Sequence, residues 1–209
     1  MAEEVRLIRS LQHARAEMRR QVTQDFCAIF ARLQERVAEC DLPVKRLPRH
    51  GEMRPEELMR VLPYMAIMDC SNLDAPFYRL AGTVYIEYFG CNPTGHNYLE
   101  YVPAARHHIV KAAFATCLDH QCGMLMNIHS VAGNGHERIT ETIALPVGDD
   151  ANDRPRYLYM TTVALEEAGW VTDESLFTKR VEVLKRYFLD LGFGLPTHYL
   201  GTAIEELAA

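Results

Sequence analysis

Residues 77–90 read FYRLAGTVYIEYFG, and where this run is divided decides the fold. Taken whole it is a strand-like stretch of aromatic and β-branched residues with one cation, Arg79, near its start. Gly82-Thr83 offers a break. FYRLA before it has β composition. VYIEYF after it suits strand or helix by pattern alone, and Gly90 ends it in either case. In a strand, Arg79 belongs to the face opposite Tyr78 and Leu80. A half-buried guanidinium there needs a carboxylate or carbonyl as a structural partner, or a ligand.

Toward the N-terminus, SNLDAP (71–76) is turn chemistry and YMAIMD (64–69) a short buried strand. EELMRVL follows Pro55 as a short helix stopped at Pro63. Residues 41–54, with Pro43, Pro48 and Gly51 and no usable periodicity, read as a connector. From Glu3 to Cys40 there is neither Gly nor Pro. Leu7, Met18, Ile29 and Cys40 are spaced by eleven, as are Leu11, Val22 and Leu33, so residues 1–40 are expected to hold one long amphipathic helix. Such a helix either packs along its own domain or, at roughly 50 Å, outreaches it and joins a second copy of the chain.

Toward the C-terminus, PAARHHIVKAAFATCLDHQ (103–121) carries a helical stripe and is closed by Gly123. MLMNIHSV (124–131) and HERITETIALPV (136–147) flank Asn134-Gly135, a strong hairpin signal, and RYLYMTTVALE (156–166) is a third strand. ESLFTKRVEVLKRYFLDLG (174–192) reads as an amphipathic helix, so 167–209 is expected to be a C-terminal helical extension. Strands with helices segregated mid-chain define an α+β class.

The chain has 209 residues, enough for one core with helical additions. With 48% hydrophobic and 24% charged residues and a net charge of −6, it is not built to grip nucleic acid or an anionic membrane. Six cysteines lie scattered with no CxxC, the start MAEEVRLIRSLQ is charged, and no run approaches the ~20 apolar residues of a membrane helix. A cytoplasmic protein with reduced thiols is expected.

Two strands, a helical section and a three-strand meander, together with particular words, resemble a PAS domain, in a subfamily of small, often stand-alone bacterial proteins. The words are Leu62-Pro63, Met68-Asp69, YRLAGT (78–83), Phe89-Gly90, Thr94-Gly95 and Leu145-Pro146, with Pro48 and Pro55 bracketing a charged stretch. The likeness runs from about Leu47 to Glu166, and residues 55–166 are taken as the domain. His50, Glu52 and Arg54 depart from the subfamily pattern. The resemblance implies a five-stranded antiparallel sheet with flanking helices able to enclose a small-molecule pocket, and a role in sensing or protein association. It also implies helix from Val84 to Phe89 against local β propensity, with Thr83 able to cap it.

No hydrolase, nucleotide or zinc motif is present, so no enzymatic activity is expected, and the resemblance implies a sensor or adaptor. Glu137 and Glu141 read as a solvated strand face. His107 and His108 fall in the helix from which haem-binding PAS domains take an axial ligand, and at ~100° apart only one could face a pocket. Flavin-adduct chemistry lacks its Asn-Cys-Arg context. Met124, Met126 and Ile128 share one strand face and Met160, Thr162 and Ala164 another, which suits an adaptable pocket or a filled core. The candidate pocket residues are therefore Arg79, His107, His108, Met126 and Met160, with no metal set. The cofactor is unassigned, haem and flavin being the alternatives considered. Expected partners are a second copy through the N-terminal helix, a signalling protein and a small molecule, with neither nucleic acid nor membrane.

Overall fold

The structure, a computed structural model, describes residues 4–40, 45–132, 135–151, 154–168 and 178–206. The decisive run divides as expected. FYRLA is strand β3 (Phe77–Ala81), paired antiparallel with β2 (Met65–Asp69), and helix α4 occupies Thr83–Phe89. Thr83 opens α4 but does not cap it: Gly82 stands at the cap position, with no side chain to offer. A Cβ at Gly82 would collide with the carbonyls of Leu62 and Pro63, while its N–H donates to Met65 O at 2.7 Å. The break is thus set by lack of room for any side chain where α4 leaves the sheet. Gly90, at φ 65°, closes α4 in the left-handed region.

The meander also forms as expected, from β4 (Gly123–Ala132), β5 (Glu137–Gly148) and β6 (Pro155–Ala168). The Asn134 half of the proposed turn lies outside the described residues. Helix α5 spans His107–Asp119. The five strands run β3-β2-β6-β5-β4, all antiparallel.

The sheet does not stop at five. β7 (Thr178–Leu189) pairs antiparallel with the far edge of β4, and β1 (Glu4–Ile8) pairs parallel with β7, giving seven strands. A two-residue strand, Glu205–Glu206, joins β1 in parallel as an eighth. The sheet is mixed, not purely antiparallel, and the expected C-terminal helix is strand β7. One residue explains the misreading. Asn127 pairs with Lys185 and Ile128 with Val183, so Leu184 bulges out of the ladder. The bulge reverses the alternation, putting Val183 and Phe188 in one core and Tyr187 and Leu189 in the other. A period of two is thereby scrambled into something helix-like.

The long N-terminal helix is likewise divided, into β1, α1 (Leu11–Glu17) and α2 (Gln21–Glu39). The break at 18–20 is made by a residue far along the chain. Glu141 on β5 is 0% exposed, and its carboxylate accepts the N–H of Arg19 at 2.6 Å and of Arg20 at 3.1 Å. A buried carboxylate at the first N–H groups of a helix satisfies donors that lack an intrahelical partner and complements the helix dipole. Glu141 is therefore not on a solvated face. The Arg20 side chain reaches the carbonyls of Ala164 and Leu165, tying the same corner to β6.

The sheet is covered on both sides. Against one face, α1 and α2 bring Ala14, Met18, Phe26, Cys27, Phe30 and Leu33 onto Leu125, Ile143, Leu145 and Leu189. The apolar stripe of α2 is thus spent on its own sheet, which removes the overhang on which pairing with a second copy was premised. Against the other face, α4 and α5 bring Tyr85, Ala113, Phe114 and Cys117 onto Met124, Met126, Ala144 and Met160. Strand alternation explains the division, since neighbours such as Met124 and Leu125 point to opposite cores. No helix among the described residues is long and apolar enough to cross a membrane.

Candidate ligand cavity

The α4/α5 face is not filled. Between it and the sheet lies a cavity of about 150 Å³. Its floor is the alternating inward set of the strands: Met124, Met126 and Ile128 on β4, Thr140 and Thr142 on β5, Met160 and Thr162 on β6, and Val181, Val183 and Arg186 on β7. Its roof is aromatic. Tyr78, Tyr85, Phe89, Tyr98, Tyr101 and Phe114 contribute rings, with centroids 4.5 Å apart for Phe89 and Tyr101 and 5.3 to 6.4 Å apart for the other contacting pairs. These separations are those of favourable ring pairs.

Part of the polar wall is internally satisfied. Tyr85 and Thr162 share a hydrogen bond of 2.7 Å, and Thr142 and Thr162 one of 2.9 Å. The Tyr78 hydroxyl is different: the residue is 1% exposed and its oxygen has no hydrogen-bond partner among the described residues. Burial, reinforced by Tyr98 and Tyr85, holds that phenol well above its ordinary pKa. Arg186 is 2% exposed. Its Nη1 lies 2.7 Å from Met124 Sδ and 3.4 Å from Met126 Sδ, and its guanidinium stands 5.0 Å from the Tyr199 ring centre. At the edge, Arg138 lies 3.7 Å from the ring centre of Tyr88.

Of the residues expected at a pocket, Met126 and Met160 line this cavity. Arg79, His107 and His108 do not. Arg79 is exposed on the opposite face, 5.5 Å over the Tyr157 ring. The ring Nε2 of His107 is engaged with Val102 O at 2.9 Å, and His108 is exposed. Arg186, Tyr78 and the aromatic roof were not among the expected residues. Alternation in FYRLA, which turns Tyr78 away from Arg79, was the available signal for Tyr78.

Haem and flavin fit this wall poorly. The cavity is half the ~300 Å³ at which pockets for larger ligands begin. Neither proposed haem ligand reaches it, no cysteine lines it, and no group of three His, Cys, Asp or Glu among the described residues could hold a metal.

A second polar cluster sits at the ends of β2, β5 and β6. Arg156 grips buried Asp69 through Nε and Nη2, the latter at 2.7 Å, and reaches Asp149 through Nη1 at 2.8 Å. Burial opposes ionisation of Asp69, but Arg156 and the Ser71 N–H outweigh it and hold the carboxyl below its ordinary value. His50 shares a 2.6 Å hydrogen bond with the Tyr159 hydroxyl, and burial with Arg79 nearby lowers its pKa. Glu52 accepts from Arg46 and from the Arg49 N–H, fastening the connector. These partners make the cluster a structural fastening.

A family model for the PAS domain matches residues 18–161. The chain belongs to the PAS domain family. Among solved structures it is similar to the Rhodobacter sphaeroides LOV protein at 15% identity, covering 56% of this chain and 71% of that one with a TM-score of 0.41. No curated protein sequence matches the chain.

Proposed function

We propose that this PAS domain is a non-enzymatic sensor or adaptor whose state is set by a small molecule in the α4/α5 cavity. The observation that carries the reading is that cavity: buried aromatic and thioether side chains with a few polar groups are the composition of a ligand site. Methionines give an adaptable wall. No thiol among the described residues lines the cavity, and elsewhere burial pushes Cys27 up to about 11 and Cys70 to about 12, while Cys122 is raised by its contact with Cys117 and by burial. Signal output then passes to a partner protein through a change in α4 and α5, the elements that roof the cavity.

Native mass spectrometry of the full chain, purified without added ligand, tests the reading. A mass excess that disappears on denaturation supports it. A protein that carries no excess and takes up no benzene, a probe matched to the cavity, overturns it.

A further inference from the structure

A hydroxyl in the wall sets the chemistry of the ligand, on the reading that the cavity is the ligand site proposed above. Burial alternates along the start of β3, with exposed Phe77 and Arg79 flanking buried Tyr78, so the strand turns a phenol into the cavity wall. Nearby hydroxyls are engaged: Tyr85 with Thr162 at 2.7 Å, Thr162 with Thr142 at 2.9 Å, and Thr140 with Ile128 O at 3.5 Å. The Tyr78 oxygen is buried and has no hydrogen-bond partner among the described residues. Burial, with Tyr98, Tyr85 and Tyr101 around it, keeps that phenol protonated and so a donor. A dry, unpaired donor is unfavourable in the empty fold, and an acceptor carried in by a guest would satisfy it.

Size and shape supply the rest. A volume of about 150 Å³ is that of a known apolar cavity which holds a single benzene ring. The roof formed by Tyr78, Phe89, Tyr98 and Tyr101 offers ring edges and faces to such a guest. Water suits the space less well, since each molecule needs about two to four polar partners and much of the floor is thioether and aliphatic. A charged guest is disfavoured too. Arg138 lies against the Tyr88 ring and Arg186 against two thioethers and the Tyr199 ring, while Arg106 is only half-buried. An ion would give up its hydration for cations that already have other partners. We propose that the cavity takes a neutral, single-ring aromatic molecule carrying one hydrogen-bond acceptor, its ring under the aromatic roof and its acceptor on the Tyr78 hydroxyl.

Calorimetric titration of the full chain with benzene, pyridine and sodium benzoate, at a mildly alkaline pH where pyridine is uncharged, tests this. Benzene and pyridine match in size and differ by one acceptor, and both are expected to bind, with benzoate weaker than pyridine. Tyr78→Phe keeps the ring and removes only the donor. It should weaken pyridine about fivefold or more while leaving benzene within about twofold. The unliganded variant should melt no lower than the parent, because the hydroxyl it lacks had no partner. If benzene binds and pyridine either fails to bind or responds to Tyr78→Phe no more than benzene does, the acceptor inference falls and the cavity reading stands. A clear loss of thermal stability in unliganded Tyr78→Phe also overturns the inference, since the hydroxyl would then be satisfied within the empty fold. Benzoate binding more tightly than pyridine overturns the neutral assignment. If neither benzene nor pyridine binds, the cavity reading falls with the inference.

Discussion

The two faces of one sheet have been built to different ends from the same strands. Under α1 and α2, Phe26, Phe30, Leu33 and Leu145 lie buried in one apolar cluster, the solid face among the described residues. Under α4 and α5, tyrosines, threonines, methionines and a buried arginine leave about 150 Å³ open. Apolar side chains of branched or aromatic shape pack to crystal-like density. Side chains that carry hydroxyls or a charge must keep their polar atoms satisfied, and so cannot collapse on each other in the same way. The difference between the faces is therefore legible in chemistry, and it can be challenged by substitution.

The largest effect is expected on the solid face. Glu141→Leu removes the acceptor of the Arg19 and Arg20 N–H groups. Two donors left without it should cost about 2–4 kcal/mol of unfolding free energy, measured by urea denaturation. A loss below about 0.5 kcal/mol would mean the helix start is held some other way. Next comes a matched pair of alanines. Ala14 on α1 is 0% exposed in the solid core, and Ala113 on α5 is 2% exposed in the cavity wall. Ala14→Leu should overpack and cost about 1–3 kcal/mol, whereas Ala113→Leu has open space to enter and should stay within about 1 kcal/mol of the parent while blocking benzene uptake. Equal costs at the two sites would erase the contrast.

Smaller effects lie at the strand ends. Asp69→Asn should cost roughly 1 kcal/mol at pH 7 by weakening the Arg156 grip. Because the folded-state pKa of Asp69 is lowered, its contribution is present above the ordinary carboxyl value near 4 and is lost as pH falls through the lowered one. The stability gap between parent and variant should therefore narrow below about pH 4, as read from denaturation at a series of pH values. The smallest effect belongs to Arg79→Met. Exposed and on the face away from the cavity, it should shift stability by no more than about 0.5 kcal/mol and leave ligand uptake unchanged.

How far the sequence carried the fold depends on where the information sat. Strands β2 to β6 and helix α5 were readable because their periodicity and turn residues are local, whereas α4 followed only from the family resemblance, against the β propensity of VYIEYF. β7 was not, because the Leu184 bulge breaks its alternation and its pairing partner is distant. The break between α1 and α2 was invisible for a related reason. No Gly or Pro marks it, and Glu141 makes it from more than a hundred residues away. In the cavity, Met126 and Met160 followed from strand alternation. Arg186 lay in a segment read as helix, so its inward direction could not be seen. His107 and His108 were drawn in by position within a fold family, and the geometry turned them elsewhere.

The account rests on the claim that only one face of the sheet can admit a guest, and methionines label both faces. Met18, Met53 and Met65 lie in the solid core, and Met124, Met126 and Met160 line the cavity. A titration of the full chain, ¹³C-labelled at the methionine methyls, with benzene in an NMR experiment reads both faces at once. The expected result is saturable shifts at Met124, Met126 and Met160 with Met18, Met53 and Met65 unmoved. Shifts confined to the second set, or none at the first, would contradict the account.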